Sequence, residues 1–292
     1  MLVWTDGVLG RDTVSVVDHG ITVGDGVFET IKLVRGVPFA LTRHLRRLAF
    51  SARGLGLPEP DEGFLRKGIE EILAQADPGV AAPDEVGVAK RPPSGRIEHD
   101  PWELGRLRIT YTGGPGPLGS VRGEEGPTTI VIAGEQKPFA PTSRIATVPW
   151  PRNERGPLAG LKTTSYADNV IALAKAAEAG ADEAVFGNLA GNLCEGTGSN
   201  IFVVVDGRAL TPTLESGCLA GVTRALALEW TDAVEADVPY ELLGTVQEAF
   251  LTSTTRDIQP ITWIDGRELP VGDVTRAIAA EFTIRSAENV DP

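Results

Sequence analysis

The chain has little of what usually betrays a function. Of its 292 residues, two are cysteine (Cys194 and Cys218), three are histidine and one is methionine. Two cysteines make no disulfide framework and fit a reducing compartment, and no metal site is expected. No apolar run approaches the ~18 residues of a membrane span, and the opening Met1-Leu2-Val3-Trp4-Thr5 lacks the basic stretch and cleavage site of a secretory leader. A cytoplasmic protein without a membrane partner is expected. Basic residues are short too: 27 against 40 acidic, a net charge of −13, which argues against nucleic acid as a partner. Anionic substrates would have to be gathered by local arginines.

Lysine is the scarcest of the charged side chains, with six: Lys32, Lys67, Lys90, Lys137, Lys162 and Lys175. A lone lysine is ordinarily a solvated surface charge. Lys162 differs in its surroundings, Gly160-Leu161-Lys162-Thr163-Thr164-Ser165-Tyr166, between a Pro/Gly loop and a new helix, the kind of junction where sites are built. Thirty-three residues on, Glu195 sits in a glycine-rich turn, Leu193-Cys194-Glu195-Gly196-Thr197-Gly198-Ser199-Asn200. An amine able to form a Schiff base, with a carboxylate able to hold a pyridinium proton, is what pyridoxal phosphate chemistry demands.

Taken in order, the pattern predicts a hairpin across Thr5-Asp6-Gly7 and a half-buried strand from Val27 that turns at Arg35-Gly36. Gly24 and Gly26 precede a strand, so they form a tight turn and not a dinucleotide fingerprint. A helix capped by Thr42 runs to about Arg53, with Leu41, Leu45, Leu48 and Ala52 on one face and His44, Arg46 and Arg47 as a solvated basic flank. A second helix follows Pro60-Asp61, its apolar side formed by Phe64, Ile69, Ile72 and Leu73. Asp77 to Pro101 reads as a long loop, then Leu104 to Thr112 and Thr128 to Ala133 as strands. The first half is thus α+β with a mostly antiparallel sheet. Residues 135–140 read as a linker between domains 1–134 and 141–292. The second domain carries strands near Ile145, Asp182, Ile201, Arg208 and Ala249, an alanine-rich helix from about Asp168 to Ala179, and helices through Trp230 and Ala287.

Three turns there could cradle a phosphate: Glu195-Gly196-Thr197, Gly221-Val222-Thr223 at a helix start, and Ser253-Thr254-Thr255 at a strand end. Each alone is commonplace.

Gly24-Asp25-Gly26-Val27-Phe28-Glu29-Thr30, His44-Leu45-Arg46-Arg47-Leu48, Lys162, Cys194-Glu195-Gly196, Leu219-Ala220-Gly221-Val222-Thr223-Arg224 and Phe250-Leu251-Thr252-Ser253-Thr254, in this order and spacing, resemble the class IV aminotransferases, the fold-type-IV pyridoxal phosphate enzymes. The resemblance implies a two-domain mixed α/β fold, a small α+β domain beside a larger barrel-like one, and a homodimer. It implies that Lys162 carries the cofactor and shuttles the substrate α-proton, and that Glu195 pairs with the pyridine nitrogen. Arg47, the backbone of Val222 and Thr223 and the Thr254 hydroxyl would hold the phosphate, with Gly196 and Ser253 as further cofactor-binding residues and Tyr166 at the ring hydroxyl. Phe28, Arg106, Arg108 and Thr255 would meet a small amino substrate.

Within that family, Phe28-Glu29-Thr30 and the run Lys162 to Asn169 look like the actinobacterial 4-amino-4-deoxychorismate lyase branch. That likeness implies elimination of pyruvate to give 4-aminobenzoate. The carboxylate trap of D-amino-acid transaminases is missing from Tyr111-Thr112-Gly113-Gly114, and better-studied lyases carry an arginine where Thr112 stands. The alternative is an amino-acid transaminase, of branched-chain or D-amino-acid type, or an amine transaminase, using the same residues; a third reading is a protein that binds the cofactor without catalysis.

Overall fold

A computed structural model describes residues 1–76 and 103–292; the stretch from Asp77 to Pro101 lies outside the described residues. The architecture is mixed α/β, in two compact units that divide between Lys137 and Pro138, with Asp291 grouped with the first unit.

Unit one contains β1 (Leu2–Thr5), β2 (Val8–Leu9), α1 (His19–Thr22), β3 (Gly26–Val34), β4 (Val37–Pro38), α2 (Leu41–Gly54), α3 (Glu62–Ala76), β5 (Leu104–Thr112) and β6 (Thr128–Glu135). Its six strands run in the order β2-β1-β6-β5-β3-β4, each antiparallel to its neighbours. The period-two pattern explains the packing: Val27, Ile31 and Leu33 of β3, Leu107 and Ile109 of β5 and Val131 of β6 share a core with Leu45, Leu48, Leu65, Ile69 and Ile72 of the helices.

Three expectations fail here. Thr42 does not cap α2. The helix starts two residues earlier than that cap would set, at Leu41 behind Ala40 in the left-handed region (φ +54°), and the Thr42 N–H and hydroxyl both donate to the Asp291 carboxylate, at 2.9 and 2.5 Å. His44 is not on a solvated face but fully buried, because a carboxylate in the core needs it. Phe64 stays 38% exposed, lying against Trp4 with ring centroids 4.8 Å apart; Leu65 takes the core position.

Unit two contains β7 (Ser143–Thr147), α4 (Ala167–Glu178), β8 (Glu183–Gly187), β9 (Leu193–Gly196), β10 (Asn200–Val205), β11 (Arg208–Pro212), α5 (Val222–Trp230), β12 (Val234–Ala236), β13 (Ala249–Ser253), β14 (Asp257–Ile264), β15 (Arg267–Glu268) and α6 (Asp273–Glu288). The sheet order is β12-β11-β10-β13-β14-β7-β8-β9, with β15 on β14. The β11/β12, β14/β7 and β7/β8 pairs are parallel. The sheet curls until its last strand, β9, approaches β10 and β11. Ile145, Val185, Leu193, Ile201, Val203, Leu251 and Ile261 fill the interior, while Ala146, Ala184 and Phe186, on the opposite face of their strands, pack against Ala172 and Ala176 of α4.

One irregularity positions the site. In the β8/β9 pair, Phe186 faces Glu195 but Gly187 faces Leu193, so Cys194 is an extra residue. Without that bulge Leu193 and Glu195 would point the same way. With it, Leu193 enters the sheet interior and Glu195 shares a face with Phe186. The glycine-rich turn expected around Glu195 is therefore the end of a bulged strand.

Candidate active site

Glu195 is nearly enclosed, its side chain 15% exposed. Oε2 accepts the Leu219 N–H at 2.9 Å, and Oε1 lies 3.5 Å from Arg152 Nε. Burial pushes the carboxyl pKa up, against the pull of Arg152, the Leu219 N–H and Lys162, with Glu183 adding to the rise. Lys162 is half-buried, just after Gly160 (φ +74°), and close enough for its charge to act on Glu195. An amine and a carboxylate with one foot in a low-dielectric setting are thus brought together within unit two.

The turns beside Glu195 are locked from below. Glu183, 1% exposed, accepts from the Thr197 N–H at 2.8 Å, from the Thr197 hydroxyl and from the Ser199 hydroxyl at 3.3 Å, and its charge is met by Arg256 Nη2 at 2.9 Å. A Cβ at Gly196 would stand 2.4 Å from Ser199 Oγ, so a larger residue there would displace the Ser199 hydroxyl from Glu183.

Leu219 leads directly into α5. Asn200, at the start of β10, donates from Nδ2 to the Leu219 carbonyl at 2.8 Å, and lies opposite Thr252 on β13. The N-terminus of α5 at Val222 and Thr223, Glu195, and the Ser253-Thr254-Thr255 stretch where β13 ends are therefore drawn to one end of the sheet. Gly221 precedes α5 and offers no side chain to cap it, which leaves the helix end suited to an anion. Thr252 Oγ1 nearby is buried without a hydrogen-bond partner among the described residues. Amine, carboxylate, uncapped helix N-terminus and Ser/Thr hydroxyls together fit pyridoxal phosphate. Tyr166 sits at the start of α4, four residues after Lys162 and half-buried. Cys194 is inert packing: burial drives its thiol pKa far up.

In unit one, Arg47 makes a fork to Glu29, Nε to Oε1 and Nη2 to Oε2, both at 2.7 Å. His44 Nδ1 is 2.7 Å from the same carboxylate. Burial alone would raise the Glu29 pKa, but Arg47 first and His44 second bring it down to about 2. Two of the Arg47 donors expected on a phosphate are thus engaged within the fold. On the opposite face of β3, Phe28 is buried, with the Arg108 guanidinium 3.8 Å over its ring. Arg106 is exposed, two residues away on the same strand face. Thr112 is buried and structural: its hydroxyl donates to Asp18 Oδ2 at 3.0 Å and accepts the Gly114 N–H at 3.1 Å.

Sequence reasoning missed Arg152, Glu183, Arg256 and Asn200, and gave Glu29 no task of its own. Only Glu29 left a signal: it is the one charge among the core-facing residues Val27, Glu29, Ile31 and Leu33, where an unpaired carboxylate is not tolerated. Among the described residues, no group of His, Cys, Asp and Glu could hold a metal ion, and no helix is long and apolar enough to cross a membrane.

Residues 26–264 match the family model for amino-transferase class IV. A fold IV-transaminase from Curtobacterium pusillum superimposes with a TM-score of 0.78 at 31% identity, covering 97% of this chain and 93% of that one. The branched-chain aminotransferase of Thermoproteus uzoniensis, solved with norvaline, gives 0.80 at 29% identity, over 97% and 93%. A bifunctional aminodeoxychorismate lyase / D-amino acid transaminase from Mycobacterium tuberculosis is 28% identical over 305 residues, 96% of each chain.

Proposed function

The chain belongs to the class IV aminotransferases, pyridoxal phosphate enzymes of fold type IV, and from that premise we propose that it transfers amino groups between a small aliphatic amino acid and a 2-oxo acid. The observation that carries this reading is the Lys162 amine within electrostatic reach of the buried Glu195 carboxylate, at the end of the sheet where α5 begins uncapped. Pyridoxal phosphate, when bound, supplies a ring that accepts the electrons left on the substrate α-carbon. Lys162 Nζ would hold the cofactor covalently, then take and return the α-proton once the substrate amine displaces it. Glu195 would keep the ring nitrogen protonated. The Gly196, Val222 and Thr223 N–H groups, the Ser253 and Thr254 hydroxyls and Arg47 would bind the phosphate, and Tyr166 the ring hydroxyl.

The amino-acid reading is favoured over the lyase expected from the sequence because the solved relatives at 31% and 29% identity are transaminases, while similar proteins named as lyases match over as much of the chain at 28% identity or less. Thr112, committed to Asp18, supplies no carboxylate trap, which speaks against a D-amino-acid enzyme. Arg108, stiffened by its stack on Phe28, is the candidate for holding a substrate carboxylate, with Arg106 and Thr255 as further contacts. The lyase remains the second reading, supported by the bifunctional relative. A homodimer is proposed on the apolar outer side of α4, where Val170, Ile171 and Leu173 are 64%, 55% and 41% exposed.

The deciding assay loads the protein with cofactor and offers L-leucine, L-valine or D-alanine with 2-oxoglutarate, and separately aminodeoxychorismate alone. Glutamate formed from the L-amino acids supports the proposal. Release of 4-aminobenzoate without amino transfer replaces it by the lyase.

A further inference from the structure

Arg152 lies ten residues before Lys162 in a proline-flanked loop, and its side chain is held on several sides. Its backbone N–H donates to the Gly187 carbonyl at 2.8 Å. Its guanidinium lies 3.9 Å over the Phe186 ring, the residue that faces Glu195 across the bulged β8/β9 pair. Nη2 donates to Asn169 Oδ1, and Asn169, buried on α4, passes the contact on by donating from Nδ2 to the Thr197 carbonyl at 2.8 Å. Nε is buried and has no hydrogen-bond partner among the described residues, yet stands 3.5 Å from Glu195 Oε1. The stack and the Asn169 contact fix the plane and direction of the guanidinium, so the Nε edge is presented to the carboxylate at little conformational cost.

We propose that Arg152 is a positioning residue that keeps the Glu195 carboxylate ionised and aimed, and through it sets the protonation of the cofactor's ring nitrogen. This rests on the reading of Glu195 as that nitrogen's partner. The charges facing Glu195 are Arg152 from the loop before Lys162, Lys162 itself and Glu183 from β8, with the Cys194 thiol adjacent on β9. Burial and Glu183 favour the neutral acid; Arg152 is the first of the groups that oppose them. A carboxyl that lost this counter-charge would bind a proton of its own and could no longer accept one from a pyridinium.

The test uses the full chain labelled with 13C at glutamate carboxyls, titrated by NMR before and after pyridoxal phosphate is added, with the Glu195 signal identified by its loss in Glu195→Gln. Arg152→Gln is expected to raise the Glu195 midpoint by about one pH unit or more, about tenfold in acid constant, and to shift the pH dependence of the bound cofactor's visible absorbance in the same variant. Arg152→Lys, which restores a charge, should recover most of both. Asn169→Ala, which frees Nη2 but keeps the arginine, should move the midpoint less and in the same direction, and stands in if Arg152→Gln does not fold. An unmoved Glu195 midpoint in folded Arg152→Gln and Asn169→Ala overturns the proposal. Absorbance that answers to Glu195→Gln but not to Arg152→Gln also overturns it and leaves the reading of Glu195 intact; absorbance indifferent to both removes that reading, and the proposal with it.

Discussion

Arg47 and Glu29 meet through two parallel hydrogen bonds of 2.7 Å inside the core of unit one, an arginine on α2 clamped to a carboxylate that has no access to water. The pair is expected to make the fold acid-sensitive. Glu29 falls from the ordinary 4.5 to about 2, a depressed pKa, so its contribution is complete above the unfolded value and disappears as the pH drops through the folded one. The difference is worth roughly 3 kcal/mol. Unfolding free energy followed from about pH 4.5 down to about 2 should fall more steeply in the wild type than in a folded Glu29→Gln variant; parallel curves would show that the clamp adds nothing.

At neutral pH the same substitution should be costly. Glu29→Gln leaves Arg47 and His44 facing a neutral amide in the core, and breaking such a pair costs about 3–5 kcal/mol. A large drop in Tm is expected, and Glu29→Leu should lose as much, since it too strands the arginine. A near-native Tm in both would contradict the account.

Thr112→Val should destabilise without touching chemistry. Asp18, 2% exposed, accepts from Thr112, from the Thr128 hydroxyl at 2.7 Å and from the Gly20 N–H at 2.8 Å. Removing one donor costs about 1–3 kcal/mol, and cofactor affinity should be unchanged. A loss of activity at full stability would mean that Thr112 meets substrate after all.

Gly221→Ala tests the α5 terminus. Its Cβ would lie 2.0 Å from Asn200 Oδ1, so Asn200 must swing away and release Leu219, the residue that also holds Glu195. Strain of about 1–3 kcal/mol follows, and cofactor affinity, titrated by absorbance, should fall by about tenfold or more. Unaltered affinity would place the phosphate elsewhere.

How far the sequence could be read depends on the range of the interactions. The alternation in β3 and the heavy hydrophobic spacing in α2 are local, and they gave strands and helices to within a residue or two. The start of α2 went wrong because the groups satisfying its first turn come from Asp291, 249 residues away in sequence. Glu195 was legible as a carboxylate near a lysine, but its direction depends on a bulge at Cys194 that no periodicity announces. Arg152 was invisible: its loop is irregular, and its partners Asn169, Phe186 and Glu195 come together only in the folded sheet.

The central claim is that Lys162 carries the cofactor, and its most direct test is chemical. Protein loaded with pyridoxal phosphate is reduced with borohydride, digested, and mapped by mass spectrometry. The account expects the pyridoxyl phosphate group on the peptide containing Lys162, and none on the other five lysines. A stoichiometric label on another lysine, or retention of the visible cofactor band in Lys162→Ala, would contradict it.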